Sequence, residues 1–196
     1  MPAQLPRKPD FDSIEAAAIT SADHRTMVLA LIGNLVFSWS NNESMFIYVL
    51  MLLLETDEVS AAIVFATLNT TRARLDLVQR LAKAKVADKA VAQQLEGLIS
   101  RFNACTKIRN EFNHCMYAVS DQGEITHTHA MKIRESGGKL VLGEVRAVDD
   151  SRIRELTKAI EDLKILNREL WNFLPHLQAS VRPLSNQSQN TRQDHV

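Results

Sequence analysis

The chain has 196 residues, of which 45% are hydrophobic, enough to bury the core of one domain with terminal tails. Its 23 lysine and arginine residues balance 23 aspartate and glutamate residues. This balance excludes a global positive field that would hold nucleic acid nonspecifically or dock on an acidic membrane, so any contact with nucleic acid must be local.

Residues 1–20 predict a flexible lead with a short helix over 13–19, and they contain no apolar run typical of a secretory signal. From Ala22 apolar residues recur at helical spacing, with one break signal at 40–42, so this segment is one long helix or two stacked helices. Its most apolar stretch is about ten residues long, half of the roughly 20 that span a bilayer. We therefore expect a cytoplasmic protein without a membrane segment.

Capping signals divide the middle of the chain into helices. Thr56, followed by two acidic residues, predicts the N-cap of one helix. The run Asn-Thr-Thr at 69–71 predicts a second cap, before an amphipathic helix over 72–85. Asp88 predicts the cap of a longer helix that continues to about residue 115.

Beyond that helix the pattern takes the period of strands. Turn-forming sequences at 121–123 and 136–138 separate short strands, so residues 116–146 predict a small β-meander. The acidic pair at 149–150 predicts the cap of a final helix, whose apolar stripe ends near Pro175.

Residues 21–178 therefore predict one mainly α domain, an antiparallel bundle of four to five core helices with the β-meander inserted before the last helix. Residues 179–196 are polar and predict a disordered tail. The sequence contains no phosphate-binding glycine loop, zinc-binding cysteine pair or dinucleotide fingerprint, so we expect neither a cofactor nor a catalytic metal.

One position breaks the apolar stripe of the long central helix. The residues at core-facing spacing are hydrophobic except at 109, which is arginine. An unpaired buried charge is costly, so Arg109 must find a partner or open onto a polar cleft. Asn103, Asn110 and His114 share one edge beside the stripe, and Asn113 lies between that edge and Arg109.

Two interpretations fit this cluster. In the structural one, Arg109 closes a buried ion pair with a carboxylate such as Glu43, and His114 is a helix-terminal histidine favoured by the helix dipole. In the chemical one, His114 exchanges a proton with a ribose 2′-hydroxyl, while Arg109 stabilises the negative phosphorane that forms. Cleavage of RNA by internal transesterification needs little else.

The run Arg109-Asn110-x-x-x-His114, in the penultimate helix of the expected bundle, resembles the motif of the HEPN superfamily. In that motif an arginine is followed by a polar residue and, four to six residues after the arginine, by a histidine. The resemblance implies a metal-independent endoribonuclease that acts as a homodimer, with two motifs meeting across a twofold axis in one composite cleft. Arg109 and His114 would be catalytic, and Asn110 would orient them or bind phosphate.

The neighbouring polar residues complete the candidate site. We expect Asn113 to help to bind or orient the substrate, with Glu43 and Asn103 in support. Proteins of the superfamily serve as toxins, in antiviral defence or in RNA processing, which implies RNA as substrate and an antitoxin or regulatory protein as a further partner. Other members bind nucleotides or partners without cleavage, so the alternative is a noncatalytic helical module of the same fold.

A third class of function, a metal-dependent enzyme, would use His127 and His129, which share one face of a predicted strand. Such a site needs a third ligand, and Glu124 is the one carboxylate at suitable spacing nearby. An exposed strand face is the commoner explanation of this pattern, and the two histidines can also face RNA.

Other features favour structural roles. Five basic residues give the helix over 72–85 a side that either tracks a phosphate backbone or faces solvent: Arg72, Arg74, Arg80, Lys83 and Lys85. Trp39 and Trp171 lie among apolar positions, which favours core packing over base stacking. Cys105 and Cys115 are expected on one helix about 15 Å apart, too far for a disulfide, which suits a reducing compartment.

Overall fold

A computed structural model describes residues 24–120 and 124–181 of the chain. Those residues form five helices: α1 (His24–Leu54), α2 (Glu58–Thr67), α3 (Thr71–Lys85), α4 (Lys89–Asn113) and α5 (Asp150–Ser180). Five strands lie between α4 and α5: β1 (Cys115–Val119), β2 (Ile125–Ala130), β3 (Ile133–Ser136), β4 (Lys139–Leu142) and β5 (Val145–Ala147). The expected mainly helical fold, with a small antiparallel sheet before the last helix, is confirmed.

Several sequence predictions fall outside these ranges. The lead at 1–20 with its short helix, the turn at 121–123 and the tail from residue 182 lie outside the described residues. Among the helices that are described, none is both long and apolar enough to cross a membrane.

Helix α1 is continuous, so the polar run at 40–42 does not divide it. At this run and just before it, one polar side chain bonds within the helix and another is buried. The Ser38 hydroxyl donates to the Asn34 side-chain oxygen at 3.1 Å, and Asn42 is only 1% exposed. The single long helix, one of the two arrangements that the sequence allowed, is therefore the observed one.

Most of the observed helix caps are the residues that the sequence predicts. Thr70 caps α3 by accepting the Ala73 N–H at 3.1 Å. The Asp88 carboxylate accepts the Ala90 N–H at 2.7 Å at the start of α4. The cap of α2 is one residue later than expected: Asp57, rather than Thr56, accepts the Ser60 N–H, at 2.9 Å.

Helix α5 continues through Pro175 to Ser180, so the predicted end near Pro175 and the predicted tail from 179 are both too early. Proline removes one helical hydrogen bond and usually kinks or ends a helix. Around it, however, Phe173, Leu174 and Leu177 are at most 1% exposed. Burial of these side chains outweighs the local cost of the proline.

The strands form two separate pieces. β1, β2 and β5 make an antiparallel sheet with β2 in the centre, and β3 pairs with β4 in a two-stranded hairpin inserted between β2 and β5. The hairpin turns at Gly137 and Gly138, whose φ angles of 59° and 74° favour glycine. The expected single meander is thus a three-stranded sheet interrupted by a hairpin.

The described residues divide into two compact units. One, the helical unit, contains residues 42–101 and 167–181, and its core includes Phe46, Leu50, Leu95 and Phe173. The other, the sheet unit, contains 24–41, 102–120 and 124–166, and its core includes Leu35, Phe102, Leu156 and Leu163. That residues 21–178 behave as one domain stays a prediction.

Candidate functional site

The candidate site lies in the sheet unit, where α4 ends. Arg109 is half-buried, and its guanidinium carbon lies 3.7 Å from the centre of the Trp39 ring. Its Nη1 donates to the side-chain oxygen of Asn110 at 2.8 Å. An aromatic face and a neutral amide thus contact the cation that interrupts the apolar stripe.

Glu43, the carboxylate that we expected beside Arg109, serves another cation. It lies in the helical unit, where it forms an ion pair with Arg74 at 3.0 Å and accepts the Thr71 hydroxyl at 2.6 Å. Both partners belong to α3, which presents a cation and a hydroxyl to the same carboxylate. The expected role of Glu43 is corrected accordingly, from a partner of Arg109 to an anchor of α3.

Trp39 is fixed on several sides. Its ring stacks on Phe102 with centroids 5.6 Å apart, and its indole N–H donates to the Thr106 hydroxyl at 2.9 Å. Thr106 in turn donates to the Phe102 carbonyl oxygen at 2.8 Å. With 3% exposure Trp39 is a core residue, as predicted, but its second role as the platform of Arg109 was missed.

His114 is the first residue after α4, and its backbone is held at both ends. Its N–H donates to the Asn110 carbonyl oxygen at 3.0 Å, and its own carbonyl accepts the Met131 N–H at 3.3 Å. The side chain is exposed. The fold therefore fixes the position of the histidine while leaving the imidazole accessible to a ligand.

The asparagines of the predicted site differ in their contacts. Asn110 binds Arg109, as described above, whereas Asn113 is the exposed last residue of α4. Asn103 is also exposed, about 9 Å from Arg109 along the axis at 1.5 Å per residue. The structure thus joins Arg109 and Asn110 directly and places Asn103 and Asn113 elsewhere on the same helix.

The last turn of α4 is capped by side chains from β1. The Phe112 carbonyl oxygen accepts the Tyr117 hydroxyl at 2.5 Å and the Cys115 thiol at 3.3 Å. Burial raises the pKa of Tyr117, as does its hydrogen bond with the thiol, and burial also raises the pKa of Cys115. Both groups therefore stay protonated at neutral pH and can keep donating.

Cys115 lies on a strand, so the expectation that both cysteines share one helix is wrong. Helix α4 ends at Asn113, and Cys105 is the only one of the two on it. Neither cysteine forms a disulfide within the part of the chain that the structure describes.

A charged network, missed by the sequence analysis, braces the same helix end from α5. Arg152, whose side chain is 3% exposed, binds Glu111 at 2.7 Å and also binds Glu155. Arg146 of β5 contacts the same two carboxylates, at 2.9 and 3.3 Å. The guanidinium of Arg152 also lies 4.5 Å from the centre of the Phe112 ring.

Two opposing influences act on the pKa of Arg152. Burial lowers it, but the hydrogen bonds and negative charges of Glu155 and Glu111 together outweigh burial and raise it. The cation is therefore permanent, and it ties α5 to residues 111 and 112, between Arg109 and His114 in the chain. The sequence could have indicated the burial of Arg152, because residue 152 has the helical spacing of the buried residues Leu156, Ala159 and Leu163.

Comparison of the chain with protein-family models, with curated proteins and with solved structures finds no match. The resemblance to the HEPN superfamily accordingly rests on the motif and on its place at the end of α4.

His127 and His129 lie on β2, where the first is exposed and the second half-buried. Among the described residues, no group of three or more His, Cys, Asp or Glu side chains is arranged to hold a metal ion. Glu124 therefore does not complete a metal site with the two histidines.

The basic side of α3 is smaller than its sequence indicates. Besides binding Glu43, Arg74 donates from Nε to the carbonyl oxygens of Phe65 and Leu68, at 3.1 and 3.0 Å. Lys85 contacts Glu55 at 3.4 Å. Two of the five basic residues thus have structural partners, which weakens the idea of a phosphate-tracking face.

Proposed function

We propose that the chain is a metal-independent endoribonuclease of the HEPN type, which cleaves RNA at a composite site of a homodimer. The observation that carries the proposal is the fixed position of Arg109, whose guanidinium lies 3.7 Å over the Trp39 ring and donates to the Asn110 oxygen at 2.8 Å, five residues before the exposed His114. A ring contact uses the face of a guanidinium, whereas phosphate oxygens bind N–H donors in its plane. Preorganised donors of this kind are what a developing phosphorane needs.

In the proposed reaction His114 removes the proton of a ribose 2′-hydroxyl, and the 2′-oxygen attacks the adjacent phosphorus. The bond from phosphorus to the 5′-oxygen breaks, which leaves a 2′,3′-cyclic phosphate and a 5′-hydroxyl. The second motif of the dimer supplies an imidazolium that gives the departing 5′-oxygen its proton. One base and one acid predict a bell-shaped dependence of rate on pH.

The deciding experiment measures cleavage of end-labelled single-stranded RNA in excess EDTA by wild type, His114→Ala and His176→Ala. His176 is an exposed helical histidine of the helical unit and serves as the matched control. We expect wild type and His176→Ala to release a cyclic-phosphate product and His114→Ala to lose at least about a hundredfold in rate, a typical contribution of a general acid or base. Thermal melting of all three proteins shows whether the fold is unchanged.

Cleavage that survives in His114→Ala, or an absence of cleavage by wild type on several RNAs, would overturn the proposal. If wild type does not cleave RNA, the noncatalytic binding module becomes the better hypothesis. RNA binding that is unchanged in His114→Ala would support that hypothesis. Arg109 is a poor first target because it packs on a core tryptophan, so a loss of folding would imitate a loss of chemistry.

A further inference from the structure

The outer face of the three-stranded sheet carries two imidazoles and a thioether on neighbouring strands. Across β1, His129 is paired with Met116 and His127 with Ala118; across β5, they are paired with Val145 and Ala147. Directly opposed residues, and residues two apart on one strand, share a face of a sheet. The neighbouring pair Tyr117 and Thr128 lies on the other face, where Thr128 is 5% exposed.

The spacing of the three donors suits one small ion. The α-carbons of His127 and His129 are about 7 Å apart along the strand, and the β-carbons of an opposed pair such as Met116 and His129 are about 5 Å apart. Metal–nitrogen bonds of about 2 Å then allow both imidazoles to meet at one point above β2. The methionine, unbranched and flexible, can bring its sulfur to the same point.

The exposure and the side-chain contacts of the three donors bear on whether they can bind a ligand. Met116 is 46% exposed, His127 is exposed and His129 is half-buried. Neither the His127 nor the His129 side chain forms a hydrogen bond or ion pair with the residues that the structure describes. No internal contact would have to be broken for these side chains to bind a ligand.

The chemistry of this face selects among metals. The remaining paired residues are Ala118, Ala147 and Val145, so these described strand pairs offer no carboxylate to a hard divalent cation. Thioether sulfur favours monovalent copper, and imidazole binds copper well. We propose that His127, His129 and Met116 form a three-coordinate site for Cu(I), a proposal that does not rest on the ribonuclease activity.

The test is a competition titration of the full chain with Cu(I), without oxygen and with a reductant, against a chromophoric Cu(I) chelator. We expect wild type to take up one equivalent. His129→Ala should lose this binding, and Met116→Leu should weaken it at least about tenfold, since even outer-shell changes cost about 10–100-fold in metal affinity. X-ray absorption of the loaded protein should show both sulfur and nitrogen ligands.

Two control variants test two other sulfur atoms as ligands. Met131→Leu changes a methionine that is 62% exposed and lies two residues after His129. Cys115→Ser removes the thiol of the residue directly before Met116. Both should bind Cu(I) as wild type does. Failure of wild type to compete, undiminished binding by Met116→Leu, or loss of binding in either control variant would overturn the assignment.

Discussion

The guanidinium carbon of Arg109 lies 3.7 Å from the centre of the Trp39 ring, although 70 residues separate the two in the chain. Because Trp39 is 3% exposed and stacked on Phe102, the ring cannot move without disturbing the core of the sheet unit. The position of the candidate catalytic cation is therefore coupled to core packing. This coupling can be measured without any assumption about function.

A double-mutant cycle of Trp39→Leu and Arg109→Gln should give a coupling of about 1–2 kcal/mol in the free energy of unfolding, as expected for a partly desolvated cation–π pair. Trp39→Leu alone should cost more than the coupling, because it also leaves a cavity. Urea unfolding at equilibrium provides the four free energies. Additivity within about 0.3 kcal/mol would show that the contact contributes nothing to stability.

Thr106 gives a second test of the same platform. Thr106→Val keeps the shape of the side chain but removes the acceptor of the Trp39 N–H, which lies 2.9 Å away. A buried donor without a partner costs about 1–3 kcal/mol, and we expect a loss of unfolding free energy in that range.

The matched control is Thr157→Val. Thr157 makes the same hydroxyl contact with its own helix, to the Ile153 carbonyl oxygen at 2.9 Å, but it is exposed and accepts no second donor from the described residues. Its substitution should change stability by no more than about 0.5 kcal/mol. Equal losses in the two valine variants would contradict the importance of the indole hydrogen bond.

The Arg152 network should respond asymmetrically to substitution. The Arg152 side chain is 3% exposed, whereas those of Glu111 and Glu155 are 45% and 36% exposed. Removing both carboxylates leaves a buried cation without negative partners, which costs about 3–5 kcal/mol. Removing the arginine leaves carboxylates that water and Arg146 can still reach.

We therefore expect Glu111→Gln/Glu155→Gln to destabilise the protein more than Arg152→Met does, by a margin of at least about 1 kcal/mol on the scale of such buried pairs. Chemical denaturation of both variants beside wild type measures the difference. The reverse order would mean that packing of Arg152 on Phe112, rather than charge, dominates the network.

How well the sequence predicts a structural feature depends on how close in the chain the interacting residues are. The caps Thr70 and Asp88 were predictable, because a cap satisfies donors two or three residues away. At 56–57 two good capping residues are adjacent, and Asp57 prevails because its two carboxylate oxygens take both the N–H and the hydroxyl of Ser60. Local rules thus placed the starts of α2, α3, α4 and α5 to within about a residue, whereas α5 ends five residues beyond its predicted end near Pro175.

The candidate site was only half predictable. A charge on an apolar stripe marks Arg109 from sequence alone, and the same rule applied to the last helix would have marked Arg152. Their partners could not be found in this way. Arg109 contacts Trp39, and Arg152 binds Glu111, because separate helices pack together. The periodicity of a single segment does not encode such contacts.

Asp57 predicts a pH dependence. The Ser60 N–H first, and then the Ser60 hydroxyl, lower the pKa of this carboxyl below its ordinary value of 3.8. A carboxyl whose pKa is lower in the folded state stabilises the protein above its unfolded pKa, and the stabilisation is lost as the pH falls through the folded pKa. Asparagine retains the capping oxygen but has no charge to titrate.

Wild type should therefore melt at a higher temperature than Asp57→Asn above about pH 5, and the gap should close as the pH is lowered below about 3.8. Thermal melting of both proteins from neutral to strongly acidic pH measures it. Ser60→Ala removes only the second hydrogen bond and keeps the first and larger cause, so it should retain most of the pH dependence that Asp57→Asn loses. A gap that stays constant across this range would mean that the carboxylate charge does not contribute to the cap.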